Sequence, residues 1–366
     1  MKLPYVNLSY KNKSINNLTS IFKKILKKGQ FVGGEEINLF EKKIAKFCGT
    51  EYAVALNSGT DALTLALHLL GVRRGDEVIT TPNSFIASTS VIVHLGAKPV
   101  FVDVLDDQNI DPSKIKKAIT KKTKVIMPVH LSGRMCRMDE IMLIAKKNNI
   151  SVVEDAAQAI GSKYKNKLSG SYGHFGCFSA HPLKNLSALG DSGYLTTNNF
   201  RHYKKIKSLS NHGMENRNIV KNFGYVSRMD NIQAAFLNYK IDSLSSVIDK
   251  RRQNVLVYSK YLDRKNVFFI DERKDEFNTY HTFVVQVNFR DKLKNYLLKK
   301  KISTSIHYPI PIHLQPASKY LGYKKGDFIV TEEQSKKIIT LPINENLNIE
   351  QIKYICRNIN QFYKNL

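Results

Sequence analysis

The chain has 366 residues, of which 42% are hydrophobic and 24% charged, and its formal net charge is +26. These values are typical of a soluble globular protein with one large domain and a smaller appendage. No apolar run approaches the ~18 residues that a membrane-spanning helix needs, and residues 1–13 lack the apolar core of a secretion signal. We therefore expect a cytoplasmic protein with no membrane partner.

The four cysteines, Cys48, Cys136, Cys177 and Cys356, are widely separated along the chain. No pair has the spacing of a zinc site, and a disulfide framework is implausible in a long chain without a secretion signal. We expect four reduced, structural thiols and no metal site.

The positive charge has two interpretations. It could attract an anionic partner such as a nucleic acid, a membrane surface or a phosphorylated metabolite. It could also reflect lysines on solvated helix faces, as in KKILKK, KKAITKKTK and KNYLLKKK. Nucleic-acid binders cluster their basic residues, and these are spread out, so the second interpretation is favoured. A gel shift and its salt dependence would test the first.

Helical and strand patterns alternate over the first 200 residues. Helices are predicted at 35–48, 59–70, 85–95, 113–119 and 138–149. Strands are predicted at 52–57, 76–81, 98–104, 124–131, 151–157 and from 178 to 180. Several of these strands are continuous apolar runs, which are typical of a parallel sheet covered by helices on both faces.

The second half of the chain has a different pattern. A long helical pattern covers 230–262, an apolar strand lies within 279–289, and helices are predicted at 290–300 and 349–364. We therefore predict an α/β protein with a large domain at 1–245, which includes the N-terminal segment, and a smaller α+β domain at 246–366.

Three polar groups follow the ends of predicted strands, where ligands gather in open α/β sheets. The first is NSGTDAL, residues 57–63, in which a Ser-Gly-Thr turn leads from a strand into a helix. The N–H groups at such a helix start can bind a phosphate. The alternative is an ordinary helix cap by Ser58 or Thr60.

The second group is Asp155, a carboxylate at the end of an apolar strand, and the third is Lys184, the one lysine in the uncharged run HPLKNLSALG. A buried carboxylate needs a cation, and a desolvated lysine becomes a nucleophilic amine that can form a Schiff base. The alternatives are a structural ion pair for Asp155 and a surface lysine for Lys184.

Together the three groups are what one cofactor needs. Pyridoxal 5′-phosphate (PLP) requires an anion site, a carboxylate that keeps its ring nitrogen protonated, and a lysine for its aldehyde. Phe85, at a predicted strand-to-helix turn, could stack on the ring or could simply pack in the core.

Seven motifs along the chain resemble those of the DegT/DnrJ/EryC1/StrS family of PLP-dependent sugar aminotransferases. They are NSGTDAL, GDEVITTPNSFIAS, GAKPVFVDV, EDAAQAIGSKY, FSAHPLKNLSALGDSG, RMDNIQAA and IHYPIPIHLQPA. The resemblance implies the aspartate-aminotransferase fold (fold type I), a homodimer with shared active sites, and amino transfer from glutamate to a ketone on a nucleotide-linked sugar. It also implies a role in making amino sugars for surface polysaccharides or related glycans.

The same resemblance assigns site residues by motif. Lys184 would bind the cofactor covalently and carry the catalytic proton, while Asp155 would pair with the ring nitrogen. The remaining cofactor contacts would be Gln158 at the ring hydroxyl, Phe85 on the ring face, and Gly59, Thr60 and Ser179 at the phosphate.

The sequence departs from the family pattern at two positions. In GYVSR, Val226 stands where an asparagine usually reaches the partner subunit's cofactor phosphate. Valine cannot donate a side-chain hydrogen bond, so we expect that contact to be lost or taken over by Ser227 or Arg228. Ala180 stands where an aromatic residue is common, which would widen the pocket.

The substrate side of the site is predicted from the loop IHYPIPIHLQP. Its His307, Tyr308 and His313 are expected to face the sugar, although a structural loop is the alternative. The run KNLSALGDSG resembles the pattern of enzymes that act on 3-keto-6-deoxy sugars, with Ser187 and Ser192 in place of glycines. We therefore expect a 3-keto-6-deoxyhexose, with a 4-keto sugar as the alternative. A non-catalytic regulatory protein of the same fold is the alternative from another class.

Overall fold

The computed structural model describes residues 2–366 and contains twelve α-helices and fifteen β-strands within that range. The helices are α1 (Asn12–Lys28), α2 (Glu35–Cys48), α3 (Gly59–Leu69), α4 (Ala87–His94), α5 (Pro112–Ala118), α6 (Met138–Lys147), α7 (Phe200–Leu209), α8 (Asn231–Ile241), α9 (Leu244–Tyr261), α10 (Arg290–Lys299), α11 (Ile329–Lys337) and α12 (Ile349–Lys364).

The strands form one large sheet and three small ones. They are β1 (Tyr52–Leu56), β2 (Glu77–Thr80), β3 (Lys98–Phe101), β4 (Thr123–Ile126), β5 (Ser151–Asp155), β6 (Lys163–Tyr164), β7 (Lys167–Leu168), β8 (Phe175–Ser179), β9 (Gly193–Thr197), β10 (Met214–Asn216), β11 (Ile219–Val220), β12 (Val267–Phe268), β13 (Glu276–Phe277), β14 (Phe283–Val287) and β15 (Ile338–Leu341).

The large sheet has seven strands in the order β1-β9-β8-β5-β4-β2-β3. Strand β9 runs antiparallel to both its neighbours, and all other neighbouring pairs are parallel. The predicted parallel sheet is therefore confirmed, with β9 as an antiparallel strand that the sequence patterns did not predict.

Helices cover both faces of this sheet. On β9, Tyr194 packs in a core with Phe40 of α2 and Leu237 of α8, whereas the next residue, Leu195, packs in a core with Leu67 of α3. Because successive strand residues point to opposite faces, these two cores lie on opposite sides of the sheet. Because helices cover both faces, the backbone of the central strands is shielded from water and the ends of the strands are held in place.

A second core lies in the C-terminal part of the chain. The three-stranded sheet β12-β14-β15 packs against α9, α10 and α12, with buried Val285, Leu293 and Ile355 among its members. Leu3 belongs to this core as well, because the N-terminal segment pairs with residue Ile302. The division at 245/246 stays a prediction, and it falls within α9.

The long helical pattern at 230–262 is two helices, α8 and α9, that are separated at Asp242 and Ser243. The Ser243 hydroxyl donates a hydrogen bond to the carbonyl of Lys240, and such local side-chain bonds compete with continued helix. In residues 2–366, no helix combines the length and apolar character that crossing a membrane would require.

The carboxyl ends of β1, β5 and β8 meet at one edge of the large sheet, because these strands run in the same direction. β5 ends at Asp155, β8 ends at Ser179, and β1 is followed by the start of α3 at Gly59. The fold therefore brings the three polar groups of the sequence analysis to one place.

Candidate active site

A cavity of about 370 Å³ lies at this edge of the sheet. Its walls come from the large sheet on one side and from the segments around 281 and 307 on the other. Of the residues predicted from the sequence, nine line it: Gly59, Thr60, Phe85, Asp155, Gln158, Ser179, Lys184, His307 and Tyr308.

One end of the cavity is the start of α3. The Ser58 side chain caps the helix by accepting a hydrogen bond from the Asp61 N–H at 3.0 Å. Within the described chain, the N–H groups of Gly59 and Thr60 have no protein acceptor. A side chain at Gly59 would place its Cβ 2.9 Å from the Cβ of Ser179, so glycine is required there. The Ser58 cap therefore leaves these two N–H groups free, and free N–H groups at a helix start suit a phosphate.

Asp155 lies in the middle of the cavity floor and is almost fully buried. Its carboxylate accepts hydrogen bonds from the Ser88 hydroxyl at 2.6 Å and from the Ala157 N–H at 3.2 Å. Burial raises the pKa of the Asp155 carboxyl above its ordinary value, against these hydrogen bonds and the charge of Lys184. No cation within residues 2–366 forms an ion pair with it, so a cationic ligand group would complete the site.

Lys184 follows β8 in a turn, and its own backbone N–H donates to the carbonyl of His181 at 2.8 Å. Burial lowers the pKa of the Lys184 amine from 10.5 to about 8, while the charge of Asp155 acts in the opposite direction. A larger share of the amine is therefore neutral near neutral pH than in an exposed lysine. This is the state in which an amine attacks an aldehyde.

Two further predicted residues connect the two walls. The Gln158 side-chain carbonyl accepts the Ser132 N–H at 2.8 Å, and its amide donates to the Tyr308 hydroxyl at 3.4 Å. Phe85 is 55% exposed, and its ring centre is 6.2 Å from that of Tyr308. An exposed aromatic face inside a cavity is available to stack on a planar ligand.

The predicted substrate loop is only partly in the cavity. Burial lowers the pKa of His307 to about 4, so this ring is neutral, and its Nδ1 lies 2.9 Å from the Thr340 hydroxyl. His313, contrary to expectation, lies outside the cavity. Its turn directs the ring into the protein, where Nε2 is 3.1 Å from the Glu332 carboxylate and the ring packs on Phe328.

Sequence reasoning missed two histidines that line the cavity, His181 and His281. The Nδ1 atom of His281 is buried without a hydrogen-bond partner, and burial together with the charge of Lys184 holds the pKa of His281 well below its ordinary value. For His281, the only signal in the sequence is a histidine inside the apolar strand pattern TYHTFVVQV, which does not by itself indicate a site.

The residues around Val226 do not line this cavity. Val226 is 60% exposed, the Ser227 hydroxyl donates to the Asp61 carboxylate at 2.8 Å, and the Arg228 guanidinium donates to the Asn211 side chain at 3.0 Å. Both side chains therefore have partners within their own chain, and their contact with a partner subunit's phosphate stays a prediction.

Comparison with known proteins agrees with this geometry. A model of the DegT/DnrJ/EryC1/StrS aminotransferase family matches residues 12–360. The chain belongs to this family. It is 36% identical to a dTDP-3-amino-3,6-dideoxy-alpha-D-galactopyranose transaminase of Aneurinibacillus thermoaerophilus, over 99% of this chain and 98% of the relative. It is 35% identical to a pleiotropic regulatory protein of Geobacillus stearothermophilus, over 100% of this chain and 99% of the relative.

The solved structure of DesV from S. venezuelae superimposes on this chain with a TM-score of 0.96, at 31% identity, covering 100% of this chain and 99% of DesV. The fold is therefore that of the type I PLP-dependent aminotransferases, as predicted, and the chain is a PLP-dependent aminotransferase. The cavity fits this cofactor, because it combines free N–H groups, an unpaired buried carboxylate and a lysine of lowered pKa.

Proposed function

We propose that this aminotransferase transfers an amino group to the ketone of a nucleotide-linked sugar. Relatives with sugar-nucleotide names support the acceptor class. Besides the transaminase of A. thermoaerophilus, they include a UDP-N-acetyl-3-dehydro-alpha-D-glucosamine 3-aminotransferase of Acidithiobacillus ferrooxidans, 36% identical over 91% of this chain. A spore coat polysaccharide biosynthesis protein of Bacillus subtilis, 34% identical over 93%, supports a role in surface glycans.

The observation that carries the proposal is the contrast between the two walls of the cavity. Lys184 and Asp155 occupy the wall at the sheet, whereas the opposite wall presents His281, Thr282 and Tyr308. Among the described residues that line the cavity, none is an arginine. Neutral imidazole and hydroxyl groups suit the hydroxyls of a sugar.

The cofactor-binding roles follow from the positions of the side chains. The free N–H groups of Gly59 and Thr60, with the Ser179 hydroxyl, would hold the phosphate, and Phe85 would stack on the ring. Gln158 would donate to the ring hydroxyl. When bound, PLP would supply an aldehyde that accepts an amino group and a ring that withdraws electrons and so makes the adjacent α-carbon proton acidic.

Two side chains would manage the protons of the reaction. Asp155, which lacks a protein cation, would keep the proton on the ring nitrogen. Lys184 would hold the cofactor in the resting enzyme and, once released, its neutral amine would move a proton between the substrate carbon and the C4′ carbon of the cofactor. Its lowered pKa suits this task, because a base of ordinary lysine pKa would stay protonated.

The position of the ketone is proposed from the loop after Lys184. The pattern KNLSALGDSG favours a 3-keto-6-deoxyhexose and a 3-amino product, and the transaminase of A. thermoaerophilus carries a 3-amino name. Ser192 lines the cavity, where its hydroxyl could meet a sugar substituent. A 4-keto sugar is the alternative acceptor, because moving the ketone by one carbon only requires the ring to be shifted.

We further propose glutamate as amino donor and a homodimer as the working form. Support for the dimer comes from an exposed apolar segment, in which Phe223 is 98%, Val226 60% and Val220 57% exposed. Such a concentration of exposed apolar side chains marks an interaction surface.

A regulatory role is the second candidate function, because two relatives carry regulatory names. They are the pleiotropic regulatory protein and the erythromycin biosynthesis sensory transduction protein EryC1 of Saccharopolyspora erythraea, 32% identical over 98% of this chain. The intact pair of Lys184 and Asp155 favours turnover.

A substrate panel tests the proposal. Holoenzyme is incubated with glutamate and each of several nucleotide-linked 3-keto and 4-keto sugars, and products are read by mass spectrometry. We expect amination of a 3-keto-6-deoxyhexose. Efficient amination of a 4-keto sugar alone would refute the position of the ketone, and amination of neither class would refute the acceptor class.

A further inference from the structure

A second cavity, of about 310 Å³, lies behind the loop that carries Lys184. Leu183 and Lys184 line both cavities, so the second begins where the first ends. Its other walls are the N-terminal segment 6–14, the start of α9 with the end of α8, and residues 344–346. Its volume is within the range of small-molecule sites, and of the residues assigned to the cofactor, Lys184 alone is among the described residues that line it.

Lys240, at the end of α8, is the principal charge in this cavity. Its ammonium group donates to the Ser187 carbonyl at 2.6 Å, to the Ser187 hydroxyl at 3.0 Å and to the Tyr10 hydroxyl. Within residues 2–366, no carboxylate lies within 4.0 Å of it. Burial lowers the pKa of Lys240 to about 8 although Glu345 raises it, which is the behaviour of a cation without an adequate counter-charge.

The second buried cation of the cavity is already neutralised. The Arg251 guanidinium donates to the Glu345 carboxylate at 3.1 Å and to the carbonyls of Tyr280 and His281 at 3.4 and 3.2 Å. This pair cancels locally, so the net positive charge of the cavity comes from Lys240 together with Lys11 and Lys184, which also line it.

Ser187 lines this cavity and belongs to the sequence motif KNLSALGDSG. In the pattern of enzymes that act on 3-keto-6-deoxy sugars, this position is glycine. Here the carbonyl and the hydroxyl of Ser187 both accept hydrogen bonds from Lys240. Since Ser187 is three residues from Lys184, the contact fixes an ammonium group relative to the catalytic amine. An acceptor whose keto carbon lies at Lys184 must extend its anionic part away from that amine, and this cavity is contiguous with it.

We propose that the second cavity is a diphosphate subsite, in which Lys240, positioned by Ser187 and Tyr10, binds the diphosphate of the nucleotide-linked acceptor. This inference rests on the proposed function. A lysine ammonium is a compact point charge that suits phosphate oxygens, and an anion there would supply the counter-charge that Lys240 lacks. Ser187 then contributes to acceptor binding without touching the reacting atoms.

The test is the affinity of holoenzyme for uridine diphosphate, thymidine diphosphate and inorganic pyrophosphate, measured by calorimetry. Lys240→Gln should weaken binding of the nucleoside diphosphates about tenfold or more, because it removes the positive charge that faces the diphosphate. Ser187→Gly should weaken it by about threefold, and Lys240→Arg, which keeps the charge, should retain most of the affinity. Lys116→Gln, at an exposed lysine of α5, makes the same charge change elsewhere and should have no effect.

The glutamate half-reaction separates a local effect from general damage. Lys240→Gln should change its rate by less than threefold, since no diphosphate takes part in it. Undiminished nucleoside diphosphate affinity in Lys240→Gln, or no measurable binding by the wild type, would overturn the subsite. If wild-type enzyme aminates no keto sugar while the Lys240 variants lose affinity as described, the acceptor proposal fails and the subsite stands.

Discussion

The surroundings of Lys184 and Lys240 differ although burial lowers the pKa of both amines to about 8. Lys184 lies in the cavity that holds Asp155 and the free N–H groups of α3. Lys240 is held by hydroxyl and carbonyl oxygens and has no carboxylate within ion-pair distance among the described residues. One environment suits a cofactor and the other suits an anion.

The difference shows that a lowered pKa does not identify a catalytic lysine. Burial alone makes an amine easier to deprotonate, and it acts on both residues. What distinguishes Lys184 is the set of groups that the sheet edge brings to it. We expect that set of groups, and not the lowered pKa of the amine, to determine which lysine takes part in the reaction.

Replacing Lys184 should have the largest effect. Lys184→Ala removes both the covalent anchor and the amine that moves the proton, so transamination should fall by at least ~10³-fold. Steady-state turnover with glutamate and a keto sugar measures this, with Lys116→Ala, at an exposed lysine of α5, as the control, which should keep wild-type turnover. Turnover of Lys184→Ala within tenfold of wild type would show that the assignment is wrong.

Asp155→Asn should lower the rate by about 100-fold, equivalent to roughly 2.7 kcal/mol of barrier. The amide keeps the shape and can still accept from Ser88, but it has no charge to hold a proton on the ring nitrogen. Bound cofactor, measured by visible absorbance after gel filtration, should be retained. An unchanged rate would mean that Asp155 has only a structural role.

Val226→Asn should tighten binding of PLP if the dimer brings this exposed residue to the neighbouring subunit's phosphate. A new hydrogen bond to a charged group contributes roughly 1.5–3 kcal/mol, so the dissociation constant should fall by about tenfold or more. Val220→Asn, in the same exposed segment, is the control. Equal PLP affinity of wild type and Val226→Asn would indicate that the position is not at the phosphate.

His281 offers a smaller and more specific test on the sugar-facing wall. Its Nδ1 is buried without a partner, so Nε2 is the nitrogen that can meet a ligand. Glutamine places an amide nitrogen near Nε2, whereas asparagine places one near Nδ1. We expect His281→Asn to raise the KM for the keto sugar about fivefold, as for one lost hydrogen bond, and His281→Gln to have little effect. Equal KM values for both variants would remove His281 from the acceptor site.

The cofactor side was predictable from the sequence because each of its parts is local. Gly59 and Asp155 directly follow or end apolar strands, and parallel strand ends must meet at one edge. The other wall was predictable only in part. The motif IHYPIPIHLQP predicted His307 and Tyr308, whereas His281 lies in an apolar strand pattern that does not by itself indicate a site. Lys240 looked like any helical lysine until the fold placed Ser187 and Tyr10 around it. His313 shows the opposite error, since a motif position alone does not say which way a ring points.

Chemical trapping of the cofactor on its lysine tests the central claim most directly. Holoenzyme is reduced with borohydride, digested, and the modified peptide is identified by mass spectrometry. If the groups at the sheet edge select the amine, the cofactor label will be on Lys184 in the peptide that contains HPLKNL, and Lys240 will be unmodified despite its similarly lowered pKa. A label on Lys240 or another lysine, or no label at all, would contradict the account.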